Sequence, residues 1–298
     1  MRVNGATRPS RYRLREGDRI EIESRPLAAK GLFEPAAIEL DIRYEDEHLL
    51  VINKPAGLVV HPAPGHAEGT LANALAAHAG PEIMNIGGAG RCGIVHRLDK
   101  LTSGLILAAK TERAHEALTD ALAERAIRRI YLGLALGNFR EAAGVIEKPI
   151  GRRPGDRKRM GIVARGRAAR TSYKVLMQAE GIALLLIQLH TGRTHQIRVH
   201  LQSVGRPVLG DAEYGYTKPR SLQMLRQDLR NRIAPIWPER QMLHAAGLSF
   251  SHPITAKRIQ RLSELPEDML GLTRKVFEPY GLDHLKAVEE ALAASEEA

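Results

Sequence analysis

Cysteine is nearly absent: Cys92 is the only one in a chain of 298 residues. A single thiol cannot build an internal disulfide framework or a zinc site of several thiolates, and a reducing compartment suits it best, so a cytoplasmic protein is expected. Long apolar runs are missing as well. The longest clear one, residues 182–189, is strand-sized and far short of the roughly 20 residues that cross a bilayer, which argues against a membrane role. Acidic residues are in deficit, 34 Asp and Glu against 44 Lys and Arg, a formal charge of +10. That imbalance points to a polyanion, and nucleic acid fits better than a membrane surface. Internal repeats of 20–50 residues are not found. Residues 1–16 are Arg-rich but lack an apolar signal core, so a targeting segment is not expected.

What is present is enough apolar material for a core: 44% of the chain is hydrophobic, which excludes disorder for most of it. Val3-Asn4-Gly5 and Arg15-Glu16-Gly17-Asp18 are turn signals, the second followed by the alternating Arg19-Ile20-Glu21-Ile22-Glu23. A small hairpin unit over residues 1–24 is expected, then a linker over 25–37 with Pro26, Gly31 and Pro35. The main domain is placed at residues 38–280, and a C-terminal helix with an acidic tail at 281–298. Within the main domain the patterns predict strands at 49–53, 104–109 and 127–136, and a hairpin of 172–177 with 182–190. Helices are predicted at 70–79, with Leu71, Ala74, Leu75 and His78 on one face, and from Thr111 to about Arg125. Strands that follow one another without helices favour an α+β fold on a mainly antiparallel mixed sheet with flanking helices.

The chemistry concentrates in Gly93-Ile94-Val95-His96-Arg97-Leu98-Asp99-Lys100-Leu101-Thr102-Ser103-Gly104. Asp99 lies between Arg97 and Lys100 in a turn that enters a buried strand. Neighbouring cations keep a carboxylate ionised even when partly desolvated, as a nucleophile or base requires. Taken alone, such an Asp is more commonly a turn residue bonded to local backbone. His190, His195 and His200 recur every five residues, a spacing that suits neither a helical pair nor the usual zinc motifs. They are assigned to packing and hydrogen bonding, and neither metal nor cofactor is expected. His61, His96 and His244 are assigned no catalytic role. Residues 151–170 hold Arg152, Arg153, Arg157, Lys158, Arg159, Arg165, Arg167 and Arg170 against Asp156 alone, with Pro154 and glycines to break a helix. So one-sided a run suits RNA phosphates.

The His-Arg-Leu-Asp-x-x-Thr-Ser-Gly stretch resembles the signature of the RluA type of pseudouridine synthases. Further blocks resemble the family in its order: Asn53 to Pro62, Lys110-Thr111, Tyr131 in Ile130-Tyr131-Leu132-Gly133, Gly192 to His200, Leu209-Gly210-Asp211-x-x-Tyr214-Gly215, and Leu243-His244-Ala245. The resemblance implies the family's fold, with a central active-site cleft, and the isomerisation of uridine to pseudouridine in structured RNA by base flipping. Asp99 falls on the catalytic Asp. Tyr131 resembles the Tyr that stacks on the flipped base and is a candidate to remove the carbon 5 proton. Arg193, just before a predicted helix cap at Thr194, is expected to pair with Asp99, with Arg97 and Arg198 as weaker substrate-binding candidates. Leu243 resembles the apolar wall of the uracil pocket, while Arg157, Lys158 and Arg159 are candidates for RNA contact. Whether Asp99 attacks the sugar carbon or abstracts a sugar proton stays open. The block Gly57 to Gly65 looks closest to the branch acting on large-subunit ribosomal RNA, with transfer RNA as the other option, and a monomer is expected. The first 22 residues resemble the closing hairpin of an alpha-L type RNA-binding module without its preceding helices, so a truncated module is expected. Two rival readings are weaker. A pure RNA-binding or ribosome-assembly factor has no need of Asp99, Tyr131 and Arg193 together, and a glycoside hydrolase would need a second flanking carboxylate, for which the matched blocks offer only Asp211 and Glu213.

Overall fold

A computed structural model describes residues 2–7, 12–21, 34–62, 66, 68–277 and 284–293. Most of the expected linker, the end of the strand at Ile22-Glu23, residues 63–65 and the acidic tail lie outside the described residues. The chain divides into two compact units, Met1–Leu32 and Phe33–Ala298.

In the first unit β1 (Arg2–Val3), β2 (Ala6–Thr7) and β3 (Ile20–Glu21) pair antiparallel in the order β2-β1-β3. Asn4 adopts a left-handed φ of 53° in the turn, and its side chain is bonded to Asp18 Oδ1 and to the Arg19 amide. The two turn signals thus tie the unit together across about 15 residues of sequence.

The second unit runs β4 (Ile42–Glu45), β5 (Leu49–Lys54), α1 (Leu71–Ala79), β6 (Ser103–Ala109), α2 (Glu112–Ala123), β7 (Arg128–Leu136), β8 (Ala143–Glu147), β9 (Ile150–Arg153), β10 (Asp156–Ile162), β11 (Arg170–Ala179) and β12 (Ile182–Leu189). It continues with α3 (Gln196–Ser203), α4 (Lys218–Gln223), α5 (Gln227–Ile233), β13 (Leu243–Ser251), β14 (Arg258–Leu262), α6 (Glu267–Phe277) and α7 (His284–Ala293). Nine strands form one mixed sheet in the order β4-β5-β6-β13-β7-β12-β11-β8, with β14 beside the second half of β13. All pairs are antiparallel except β6 with β13. The fold is therefore α+β, a mainly antiparallel mixed sheet with flanking helices.

The central strands read as continuous apolar runs because both faces of the sheet are covered. Along β12, Ala183, Leu185 and Ile187 enter one core cluster while Ile182, Leu184 and Leu186 enter another. Burying each such Leu or Ile contributes about 1.5–3 kcal/mol. α1 is capped by Thr70, whose side chain accepts from the Asn73 amide. His78 departs from its expected place on the core face: it is exposed and pairs with Glu45 at 2.9 Å. The basic stretch after Gly151, expected to be non-helical, is a separate hairpin of β9 and β10.

Candidate active site

Asp99 is held by a turn whose carbonyl groups are all bonded. Asp99 O accepts from the Thr102 amide, Lys100 O from the Gly57 amide and from Lys54 Nζ, and Leu101 O from Arg240 Nη1. Gly104 follows at φ 109°, where a Cβ would stand 2.3 Å from Ala245 O, so only glycine lets β6 run this close to β13. Lys54 beneath the turn is fully buried and donates to the carbonyls of Pro55, Leu58 and Lys100. Burial pulls its pKa down to about 7, the charge of Asp99 working in the opposite sense.

An open cleft lies over Asp99. Its walls include Arg97, Tyr131, Leu189, Arg193, His195, Arg198 and Leu243. Asp99 Oδ2 is held by Arg198 Nη1 at 2.9 Å, leaving Oδ1 the freer oxygen. The same guanidinium grips the fully buried Asp211 with Nε at 2.7 Å and Nη2 at 2.9 Å, and Glu213 with Nη2 at 3.1 Å. Burial works against its charge, yet Asp211 and Asp99 hold the Arg198 pKa above the ordinary arginine value. His195, at a left-handed φ of 54°, stands 3.8 Å from Asp99 Oδ1, with Nδ1 2.8 Å from the Tyr214 hydroxyl. That hydroxyl accepts from the Met160 amide in β10, and burial pushes it up to about 12. Tyr131 is 4% exposed, and burial raises its hydroxyl as well, so near neutral pH it is an O–H group and not a phenolate.

The cleft thus brings together six of the nine site residues read from the sequence: Asp99, Tyr131, Arg193, Arg97, Arg198 and Leu243. One pairing needs correction. Arg193 does not pair with Asp99; its Nε donates to Ala168 O, and Arg198 is the partner. The reason lies in the helix start. The residue before α3 is His195, not Thr194, and α3 is buried from Gln196 through Leu201, which lets Arg198 face the cleft. Arg157, Lys158 and Arg159 lie on β10. The sequence reading missed Asp211 and Glu213 as anchors of Arg198, and His195 as a cleft residue. Their proximity to Arg198 and to the signature blocks was the available signal. Among the described residues no group of three or more His, Cys, Asp or Glu could hold a metal ion, and no helix is long and apolar enough to cross a membrane.

Comparisons with known proteins bear on this arrangement. Residues 48–203 match the family model described as RNA pseudouridylate synthase. The ribosomal large subunit pseudouridine synthase D of Pseudomonas aeruginosa is 44% identical over 275 residues, covering 91% of this chain and 82% of that protein. An uncharacterized RNA pseudouridine synthase of Bacillus subtilis is 41% identical over 271 residues, covering 91% of this chain and 83% of its own. The solved structure of human RNA pseudouridylate synthase domain containing 1 superposes with a TM-score of 0.64 at 26% identity, covering 88% of this chain and 98% of that one.

Proposed function

The chain belongs to the RNA pseudouridylate synthase family and is an RNA-modifying isomerase, and from that premise we propose that it converts specific uridines of large-subunit ribosomal RNA to pseudouridine. The target uridine flips into the cleft and its base stacks on Tyr131 with Leu243 on the apolar side. Asp99 acts at the sugar while the bond to nitrogen 1 breaks and the bond to carbon 5 forms. The proton on carbon 5 then leaves to solvent and nitrogen 1 takes one up from solvent, so the product is an isomer of the uridine. Arg198 fixes the carboxylate through Oδ2, so that Oδ1 meets the substrate. Arg97 and Arg193 at the cleft, and Arg157, Lys158 and Arg159 on β10, meet RNA phosphates. The enzyme acts as a cytoplasmic monomer without metal or cofactor.

One observation carries this reading: the 2.9 Å pair of Arg198 and Asp99 on the cleft wall shared with Tyr131 and Leu243. A pure RNA binder has no need of a carboxylate clamped in this way. The test incubates the purified chain with transcripts of large-subunit ribosomal RNA and of transfer RNA and counts pseudouridine in each. Pseudouridine in the ribosomal transcript supports the proposal; formation only in transfer RNA would reassign the substrate, and none in either would overturn it.

A further inference from the structure

The start of β7 carries a cation that pairs with no acid among the described residues. Arg129 precedes Tyr131 by two residues on one strand, so both side chains leave the same face of the sheet. Ile187 pairs with Tyr131 and Gln188 with Ile130, which sets Leu189, a wall of the Asp99 cleft, opposite Arg129 in the continued register. The Arg129 side chain is half-buried, with Nε shut off from solvent and without a hydrogen-bond partner among the described residues. No ion pair engages it there either. The contrast with its neighbours is sharp. Arg198 meets three carboxylates, Arg240 is gripped by Asp268 at 2.6 Å, and Arg128 donates to Ala291 O.

A partly desolvated guanidinium with an unmet donor costs free energy, and such a group in a folded protein calls for a ligand or another reason to exist. The surroundings point to an anion. His96 beside it accepts the Leu107 amide on Nε2, and burial, then the charge of Arg129, hold it near pKa 3, so it stays neutral and offers the guanidinium no counter-charge. Gly192 leaves the approach open: a Cβ there would stand 3.1 Å from Arg129 Nη1, so the guanidinium lies along bare backbone at the head of the loop bearing Arg193 and His195.

We propose that Arg129 binds a backbone phosphate of the RNA beside the flipped uridine, anchoring the strand next to the base that Tyr131 receives. The inference rests on the RNA-isomerase reading above. The planar fork of an arginine matches two phosphate oxygens at once, which a lysine cannot do.

A cycle of protein and RNA changes tests it. The full chain and its Arg129→Met variant are titrated with an RNA stem-loop that contains the target uridine. Matching RNAs carry a neutral methylphosphonate at the linkage on either side of that uridine. Arg129→Met should weaken binding to the unmodified RNA about tenfold. One of the two methylphosphonates should weaken wild-type binding by a similar factor and have no further effect on the variant. Losses that simply multiply at both linkages, or an unchanged affinity in Arg129→Met, would overturn the assignment. If Arg129→Met does not fold, Gly192→Ala provides the cycle, since its methyl group displaces the guanidinium without removing a charge. It should lose affinity at that same linkage, and wild-type binding at both linkages would overturn the proposal. Pseudouridine formation by the wild type on the same stem-loop is scored separately, so a failure of the isomerase reading is told apart from a failure of the phosphate contact.

Discussion

Two sets of cations in this chain occupy opposite surroundings. Arg198 has a side chain only 7% exposed and is ringed by Asp99, Asp211 and Glu213. On the β9–β10 hairpin Arg153 is exposed, and Arg159 reaches its carboxylate neighbour Asp156 only at 3.8 Å. The buried set spends its charge inside the protein and fixes the direction of one reactive carboxylate. The exposed set leaves its charge to solvent and to whatever polyanion arrives. Loss of a buried cation should therefore damage the fold and the chemistry together, whereas loss of exposed cations should reduce affinity alone.

The largest effect is expected for Arg198→Met. It strands the fully buried Asp211 carboxylate without a cation, at a cost of about 3–5 kcal/mol. Urea unfolding reads this directly, and a variant as stable as wild type would break the contrast between the two sets.

Lys54→Met sharpens it at the second buried cation. The folded pKa of Lys54 is about 7, against 10.5 in an open chain. The unfolded state thus holds a proton that the folded state gives up, and wild-type stability should gain up to about 1.4 kcal/mol per pH unit as pH rises from about 7 toward 10. Removing the lysine should abolish that gain, so between pH 7 and 9 the stability difference between the two proteins should shift in favour of wild type. A constant difference would mean that Lys54 does not titrate in this window.

The smallest effect on stability belongs to the basic run of the β9–β10 hairpin. Neutralising Arg157, Lys158 and Arg159 together should change unfolding by no more than about 0.5 kcal/mol. It should flatten the dependence of log affinity on log salt by roughly two to three. An unchanged salt slope would make the hairpin an ordinary solvated surface.

Much of the fold could be read from the sequence because its central strands are short, apolar and bounded by clear turns, as at β6 and β12. The segment around Asp99 was equally legible, since its charges and its Thr102-Ser103-Gly104 entry to a strand are contiguous. The Arg198 pairing was not. α3 is buried nearly all round, so no apolar periodicity marks which side faces the cleft, and His195 in a left-handed conformation moves the helix start past the expected cap. Asp211 and Glu213 meet Arg198 across 13 and 15 residues through a turn, a proximity that local pattern does not encode. The lack of a partner for Arg129 Nε among the described residues is likewise a property of the packed sheet and not of any motif.

The central claim is that Asp99 performs chemistry while the cations around it hold geometry or RNA. Asp99→Asn keeps the size of the side chain and removes its charge. Single-turnover conversion of a large-subunit ribosomal RNA fragment, measured together with binding of the same RNA, tests the claim most directly. The account predicts no detectable pseudouridine from Asp99→Asn, with RNA affinity within a few fold of wild type. Conversion at the wild-type rate would contradict it.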